Sequence, residues 1–228
     1  MNNINTNESE LEIKYESIKS RKREKDKLVY NFLKRVFDIT LSLIAIVLLS
    51  PVFLLVAIII RVDSKGKVIF GHERIGKNMS RIKVYKFRTM YANSDEIFNN
   101  FTEEQKREYY INFKLDDDPR ITRVGGFLRK TSLDELPQLI NILKGDMSIV
   151  GPRPIVEKEI PKYGEYMEEV FSVLPGLTGY WQANGRSDTS YEERVKMDRY
   201  YLENRSFLLD IKIILKTFIS VIKKEGAM

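Results

Sequence analysis

Asp134 and Glu135 are the strongest candidates for chemistry in this chain, because so much else is missing from it. The 228 residues contain no cysteine and one histidine, His72. Disulfides, thiolate metal sites and cysteine nucleophiles are therefore excluded, and a multi-histidine metal site cannot be built. Catalysis would have to use carboxylates, hydroxyls, Lys and Arg, with an oxygen-liganded ion such as Mg²⁺. The stretch Ser132-Leu133-Asp134-Glu135 has two readings. One is a capping box that only starts a helix. Pro137 complicates that reading: with Ser132 as N-cap it leaves a carbonyl unpaired, whereas a helix starting at Asp134 makes it harmless. In either case both acids sit at the positive end of a helix, which favours their ionised forms. The second reading follows: an ionised Asp beside another carboxylate can attack phosphorus or hold Mg²⁺.

Cations gather around this pair in the sequence. Arg129 and Lys130 immediately precede it, and Arg153 is held between Pro152 and Pro154. A planar guanidinium matches phosphate oxygens well. Lys86 and Arg88 alternate along a strand pattern, which points both to one face. Each alone is an ordinary solvated cation; their accumulation suggests an anionic ligand. The loop from Gly176 to Arg186 combines glycines, Tyr180 and Trp181 with Gln182, Asn184 and Arg186. It reads either as polar and stacking contacts to a ligand or as a surface turn around one packed Trp. Asp116 to Asp118 reads as an acidic loop before Pro119, and His72 receives no role.

The elements that must position these residues are mostly helical, with a small β-hairpin. Lys67–Glu73 and Arg81–Phe87 read as the hairpin strands, joined through Gly76-Lys77-Asn78. Helices are expected over Asn93–Asn112, Arg120–Lys130, Leu133–Leu143, Val156–Phe171, Tyr191–Asn204 and Phe207–Lys223. Residues 174–190 read as a loop. The last helix is apolar except for a stripe of Lys212, Lys216 and Ser220, so it either lies at a lipid interface or packs on the core.

Leu41 to Ile60 is the one stretch greasy enough for lipid. About 20 helical residues rise about 30 Å, enough for a span. Yet Pro51 interrupts its middle, and basic residues crowd both ends, a pattern that asks for both ends on the cytoplasmic side. A re-entrant helix–break–helix at Ser50-Pro51 satisfies both demands and is preferred to a straight span. The expected organisation is a polar tail over 1–27, a re-entrant membrane helix over 28–62 and a cytosolic catalytic core over 63–228. A net charge of +6 suits anionic membrane lipids, a phosphate-bearing substrate or nucleic acid. The apolar segment argues against nucleic acid.

The ordered motifs Lys86-Phe87-Arg88-Thr89-Met90, Asp118-Pro119-Arg120-Ile121-Thr122, Leu128-Arg129-Lys130, Ser132-Leu133-Asp134-Glu135-Leu136-Pro137-Gln138, Lys144-Gly145-Asp146-Met147-Ser148 and Gly151-Pro152-Arg153-Pro154 carry a likeness. With Pro175-Gly176 and Asn184-Gly185-Arg186, they resemble the bacterial sugar transferases, the monotopic polyprenyl-phosphate phosphoglycosyl transferases. The likeness runs from about Lys34 to Thr217. It implies transfer of a sugar-1-phosphate from a UDP-sugar to undecaprenyl phosphate, with release of UMP, at the inner face of the cytoplasmic membrane. It implies Asp134 as nucleophile of a phosphosugar-aspartyl intermediate, and Glu135 as metal ligand or base. Mg²⁺ would be held at Asp134 and Glu135, and Lys86, Arg129 and Arg153 would bind phosphates. The likeness also leads to a first membrane step in capsule or exopolysaccharide assembly, with a homodimer allowed. His72 stands where the family often has Gln, and Ile82 where Phe is common; neither touches the implied chemistry.

Overall fold

The computed structural model describes residues 4–112, 115, 117–185 and 189–223. Helix α1 (Ile4–Asp63) leads into a β-hairpin of β1 (Ile69–Ile75) and β2 (Arg81–Phe87). There follow α2 (Ser94–Asn99), α3 (Glu103–Asn112), α4 (Arg123–Lys130), a 3-10 turn (Leu133–Glu135), α5 (Gln138–Lys144) and β3 (Ser148–Val150). A 3-10 segment (Glu157–Tyr166) then precedes α6 (Met167–Val170), β4 (Gly176–Thr178), α7 (Tyr180–Asn184), α8 (Tyr191–Asn204) and α9 (Phe207–Lys223). The fold is mostly helical, with a small antiparallel hairpin in which Ile69 faces Phe87 and Ile75 faces Arg81. A short parallel pair joins β3 to β4, and β4 lies inside the expected loop.

Four expected helices differ from those observed. Asn93–Asn112 divides into α2 and α3. Arg120–Lys130 starts later, because the Thr122 hydroxyl accepts from the Gly125 amide and caps α4. Leu133–Leu143 becomes the 3-10 turn and then α5, with Pro137 at the helix start where its missing N–H costs nothing. Gly145 closes α5 in the left-handed region at φ 92°, as its place after Lys144 indicates. Val156–Phe171 is mainly 3-10, because Pro161 lies inside it and Gly164 takes φ 53°.

The break expected at Ser50-Pro51 is absent: α1 stays helical through Pro51. Proline cannot donate to the carbonyl four residues back, that of Val47. The Ser50 hydroxyl donates to that same carbonyl at 2.8 Å, so the group is satisfied without interrupting the helix. The buried and half-buried positions of α1 recur as Lys34, Asp38, Leu41, Ala45, Leu49, Val52, Val56 and Ile60, one stripe that keeps helical spacing across the proline. Its first part packs Phe37, Leu41 and Ile46 on a core made by Val84, Leu139, Ile142, Met147, Val150 and Ile213. Its last part packs Val56 and Ile60 on Phe87 and Leu128.

Polar ties fix both ends of this stripe. Asp38 accepts from the Ile149 amide at 3.0 Å, and Arg35 donates to the Ile142 and Leu143 carbonyls at 2.6 and 3.0 Å. At the far end Arg88 donates to the Ser64 and Lys65 carbonyls, both at 2.6 Å. The opposite face, including Leu48, Leu54, Leu55 and Val62, is exposed and apolar. Among the described residues, Lys27–Asp63 is the one helix long and apolar enough to cross a membrane.

Helix α9 packs one face on the core and leaves the other exposed. Asp210 and Ile213 are buried against the core, while Leu208, Leu215 and Phe218 stay exposed. Phe207 meets Phe37 of α1 edge-on at 5.1 Å, which brings α9 against the long helix.

Helix α4 approaches the chain after β2 so closely that a Cβ on Gly125 would lie 2.0 Å from the Thr89 carbonyl oxygen. A Cβ on the neighbouring Gly126 meets nothing within 4 Å. Gly125→Ala is expected to destabilise the protein by about 2 kcal/mol or more. Gly126→Ala should be neutral or stabilising by up to about 1 kcal/mol. Thermal unfolding of both variants in the same detergent checks the contrast.

Candidate active site

Asp134 and Glu135 form the 3-10 turn between α4 and α5, entered through Ser132 in the left-handed region at φ 55°. The Ser132 side chain makes no cap hydrogen bond, so the capping box allowed by the sequence does not form. The carboxylates are free for another role. Asp134 is 7% exposed, whereas the Glu135 side chain keeps 32% of its surface open.

Lys86, near the end of β2, reaches both. Its Nζ lies 2.6 Å from Glu135 Oε1 and 3.7 Å from Asp134 Oδ2. The register between β2 and α5 is held by Asn141, which is fully buried. Its amide donates to the Lys83 carbonyl at 2.7 Å, and its Oδ1 accepts from the Tyr85 amide at 2.8 Å. These two bonds satisfy backbone groups along β2 and set the height at which Lys86 meets the carboxylates.

Arg129 approaches from α4. Its Nε donates to Thr89 Oγ1 at 3.0 Å, and the Thr122 amide donates to the Thr89 carbonyl at 3.0 Å. Thr89, buried at 8%, therefore ties α4 to the end of β2 and orients the guanidinium.

The electrostatics separate the two acids. Burial pushes the Asp134 carboxyl above its usual range, and adjacent Glu135 pushes the same way, against the pull of Lys86 and Arg129. Burial also pushes Glu135 up, but Lys86, Arg153 and a hydrogen bond from Gln138 outweigh it and hold Glu135 below its usual range. The same surroundings thus push the two carboxyls in opposite directions, Asp134 up and Glu135 down.

The other expected residues divide. Arg153, on the Pro-Arg-Pro segment, is close enough to help stabilise the charged form of Glu135, and its guanidinium lies 6.0 Å from the Trp181 ring. Arg88 is placed elsewhere: its guanidinium is spent on the Ile60, Ser64 and Lys65 carbonyls at the end of α1. Its shared face with Lys86 does not hold because β2 ends at Phe87. Asn184 donates to the Tyr180 carbonyl and accepts from Lys216 of α9 at 2.5 Å, a structural tie. Gln182 Oε1 is buried, with no hydrogen-bond partner among the described residues. Arg186 and Asp116 lie outside the described residues. Asp118 is committed to Arg120 through bonds of 2.8 and 2.6 Å, and Arg120 lies against Phe98, Phe101 and Tyr109.

Asn141 and Arg74 carry no signal in the sequence that marks them for this site, while Thr89 and Gln138 stand within the family-like motifs without a role assigned to them. Burial holds the Arg74 guanidinium down to about 10, with Arg153 adding repulsion and Glu159 and Glu135 opposing it. In the hairpin its guanidinium lies 3.1 Å from His72 Nδ1. Among the described residues no group of three or more acidic, His or Cys side chains surrounds a metal position.

A buried acid, a flanking ionised acid and converging Lys and Arg side chains suit displacement at phosphorus. The sequence profile described as bacterial sugar transferase matches residues 29–224. The chain belongs to that family, and its class is phosphoglycosyl transferase. It is 46% identical over 197 residues to the exopolysaccharide production protein ExoY of Sinorhizobium fredii, covering 85% of this chain and 87% of that protein. It is 45% identical to the UDP-galactose-lipid carrier transferase of Erwinia amylovora, covering 86% of this chain and 42% of that one. It is 44% identical to the undecaprenyl-phosphate galactose phosphotransferase of Salmonella typhimurium, again covering 86% and 42%. The chain therefore spans less than half of the latter two proteins.

Because Asp134 is raised and Lys86 favours its charged form, removing Lys86 must raise it further. In Lys86→Met the acid limb of the pH–rate profile is expected to move to higher pH, since Asp134 takes up its proton earlier as pH falls. An unmoved limb would show that Asp134 is not the group titrating.

Proposed function

We propose that this protein transfers a hexose-1-phosphate from a UDP-sugar to undecaprenyl phosphate through a covalent bond to Asp134. The observation that carries the reading is the buried Asp134 carboxylate, with Lys86 at 3.7 Å and Arg129 near enough to favour its charged form. An Asp Oδ attacks the phosphorus that bears the sugar, and the bond from that phosphorus to the bridging oxygen breaks. UMP leaves with the electron pair. The acceptor's phosphate oxygen then attacks the same phosphorus, the bond to Asp134 breaks, and the carboxylate is restored. The product is a polyprenyl diphosphate-linked sugar. The names of the Erwinia and Salmonella relatives support the donor and acceptor classes, and the ExoY name supports a role in exopolysaccharide assembly.

Catalysis of this type rests on positioning and on neutralising charge. Lys86, Arg129 and Arg153 would supply positive charge to the phosphates. Burial makes Asp134 less strongly solvated than an exposed carboxylate, and the cations favour its ionised form. Glu135, already ionised, would assist as metal ligand or as base toward the acceptor. Two adjacent carboxylates fit Mg²⁺, which often takes only one or two protein oxygens and fills its shell with substrate phosphates and water. Asp134 and Glu135 would hold it, and when bound it would neutralise charge on the donor diphosphate.

Helix α1 supports a placement in the membrane. Both ends of its inner stripe are tied to the same domain, which supports a helix whose two ends stay on one side of the bilayer. We place the exposed face of α1 in the cytoplasmic leaflet of the inner membrane, with both ends on the cytosolic side and α9 at the interface. UDP-sugars and the acceptor's phosphate then meet on one side.

Asp134→Asn preserves size while removing the nucleophile. It is expected to lower turnover at least about 10³-fold. Incubated with a radiolabelled UDP-sugar and no acceptor, wild type should retain covalent label and the variant none; near-normal turnover by the variant would overturn the mechanism. Topology has its own check. Since the chain has no cysteine, Asn2→Cys and Lys65→Cys can be tested singly with an impermeant maleimide on intact cells. Neither is expected to react, and labelling of either would restore the straight span.

A further inference from the structure

A cavity of about 270 Å³ lies away from the acidic pair and shares no lining residue with it. Its walls come from α1, β3, the turn after α6 and the end of α8, and they carry four cations, Lys34, Arg35, Lys77 and Arg205, against one carboxylate, Asp38.

The internal interactions do not cancel this charge. Lys34 is paired with Asp210 at 2.9 Å, so its charge is met. Arg35 spends two N–H groups on the Ile142 and Leu143 carbonyls, which are neutral. Arg205 lies over the Tyr30 ring, with 5.7 Å from its guanidinium carbon to the ring centroid. Among the described residues neither Arg205 nor Lys77 forms an ion pair. Asp38, the sole acid, is 1% exposed and turned toward the Ile149 amide. Three cations therefore face one cavity without a carboxylate partner.

Size and position narrow the ligand. The volume lies just below that of pockets for drug-sized ligands, about 300–1,000 Å³. It has room for a phosphate together with the headgroup atoms next to it. On α1 the lining residues Lys34, Arg35 and Asp38 alternate with exposed Phe32, Leu33 and Val36. The cavity thus adjoins the apolar face at the start of the greasy segment, where a lipid phosphate would lie. An anion there would bridge α1 to α8 and to the Lys77 turn.

We infer that this cavity is a phosphate-binding site separate from the catalytic one, filled by an anionic phospholipid headgroup or by free phosphate. The inference rests on the placement of α1 in a lipid surface and is independent of the reaction at Asp134.

The test uses the full chain in neutral detergent. Short-chain phosphatidylglycerol, phosphatidylcholine and inorganic phosphate are titrated separately and read by native mass spectrometry and thermal shift. Saturable binding of phosphatidylglycerol, weakened at least 10-fold in Lys77→Gln/Arg205→Gln, would support the site with lipid as its source. Saturable binding of inorganic phosphate, equally weakened in the variant and competing with the lipid, would support it with free phosphate as the source. Transferase activity in neutral detergent should be unchanged in the variant. Should the double variant fail to fold, Lys77→Glu, at an exposed turn, should show the same loss. Binding equal in wild type and variant, or no saturable binding of any phosphate compound, would overturn the inference.

Discussion

The structure depends on how one long apolar helix divides its surface. Helix α1 gives a single stripe to the domain and leaves the rest apolar and exposed. The stripe supplies core on both sides of Pro51, so the domain cannot form without the helix, and the helix cannot be withdrawn across a bilayer without exposing Leu139, Ile142 and Leu128. Burial of those side chains is worth about 1.5–3 kcal/mol each. Arg35, Asp38 and Arg88 then fix the ends through hydrogen bonds, giving the stripe a register that hydrophobic contact alone would not impose. The segment fit for lipid is thus also part of the fold's core.

The same helix positions the chemistry. Ile60 packs with Phe87 and Leu128, the residues next to Lys86 and Arg129, so the long apolar helix and the cationic side of the site are joined by one small core. Leu133 and Leu136 pack there as well, on either side of the acidic pair. The carboxylates are therefore held between the long apolar helix and the hairpin. The environment also divides the acids, pushing the Asp134 carboxyl up and the Glu135 carboxyl down.

Much of the fold was legible, for identifiable reasons. Helices α8 and α9 begin and end where the sequence places them, because caps, charge and periodicity agree. The hairpin was legible from its alternation and turn residues. The short parallel pair β3–β4 was not, since strands of this length carry no usable period and pair through distant backbone. The 3-10 character of 157–166 was signalled by Pro161 and Gly164, yet hidden behind helix-favouring composition. At the site the acidic pair and its cations stood out by elimination and accumulation. Arg88 was misplaced because alternation holds only within a strand, and β2 ends one residue before it.

By itself the sequence determined the chemical alphabet: no cysteine, one histidine, an acidic pair preceded by cations, and one segment fit for lipid. Those are matters of composition and local order, which no packing can alter. Tertiary structure decided which of these groups meet. Asn141 locks α5 to β2 across 58 residues of chain, Gly125 lets α4 close on Thr89, and Ser50 keeps the helix whole through its proline. Each depends on distances between chain segments. Such distances are fixed by packing and by the need to satisfy buried backbone groups, neither of which is written in neighbouring residues.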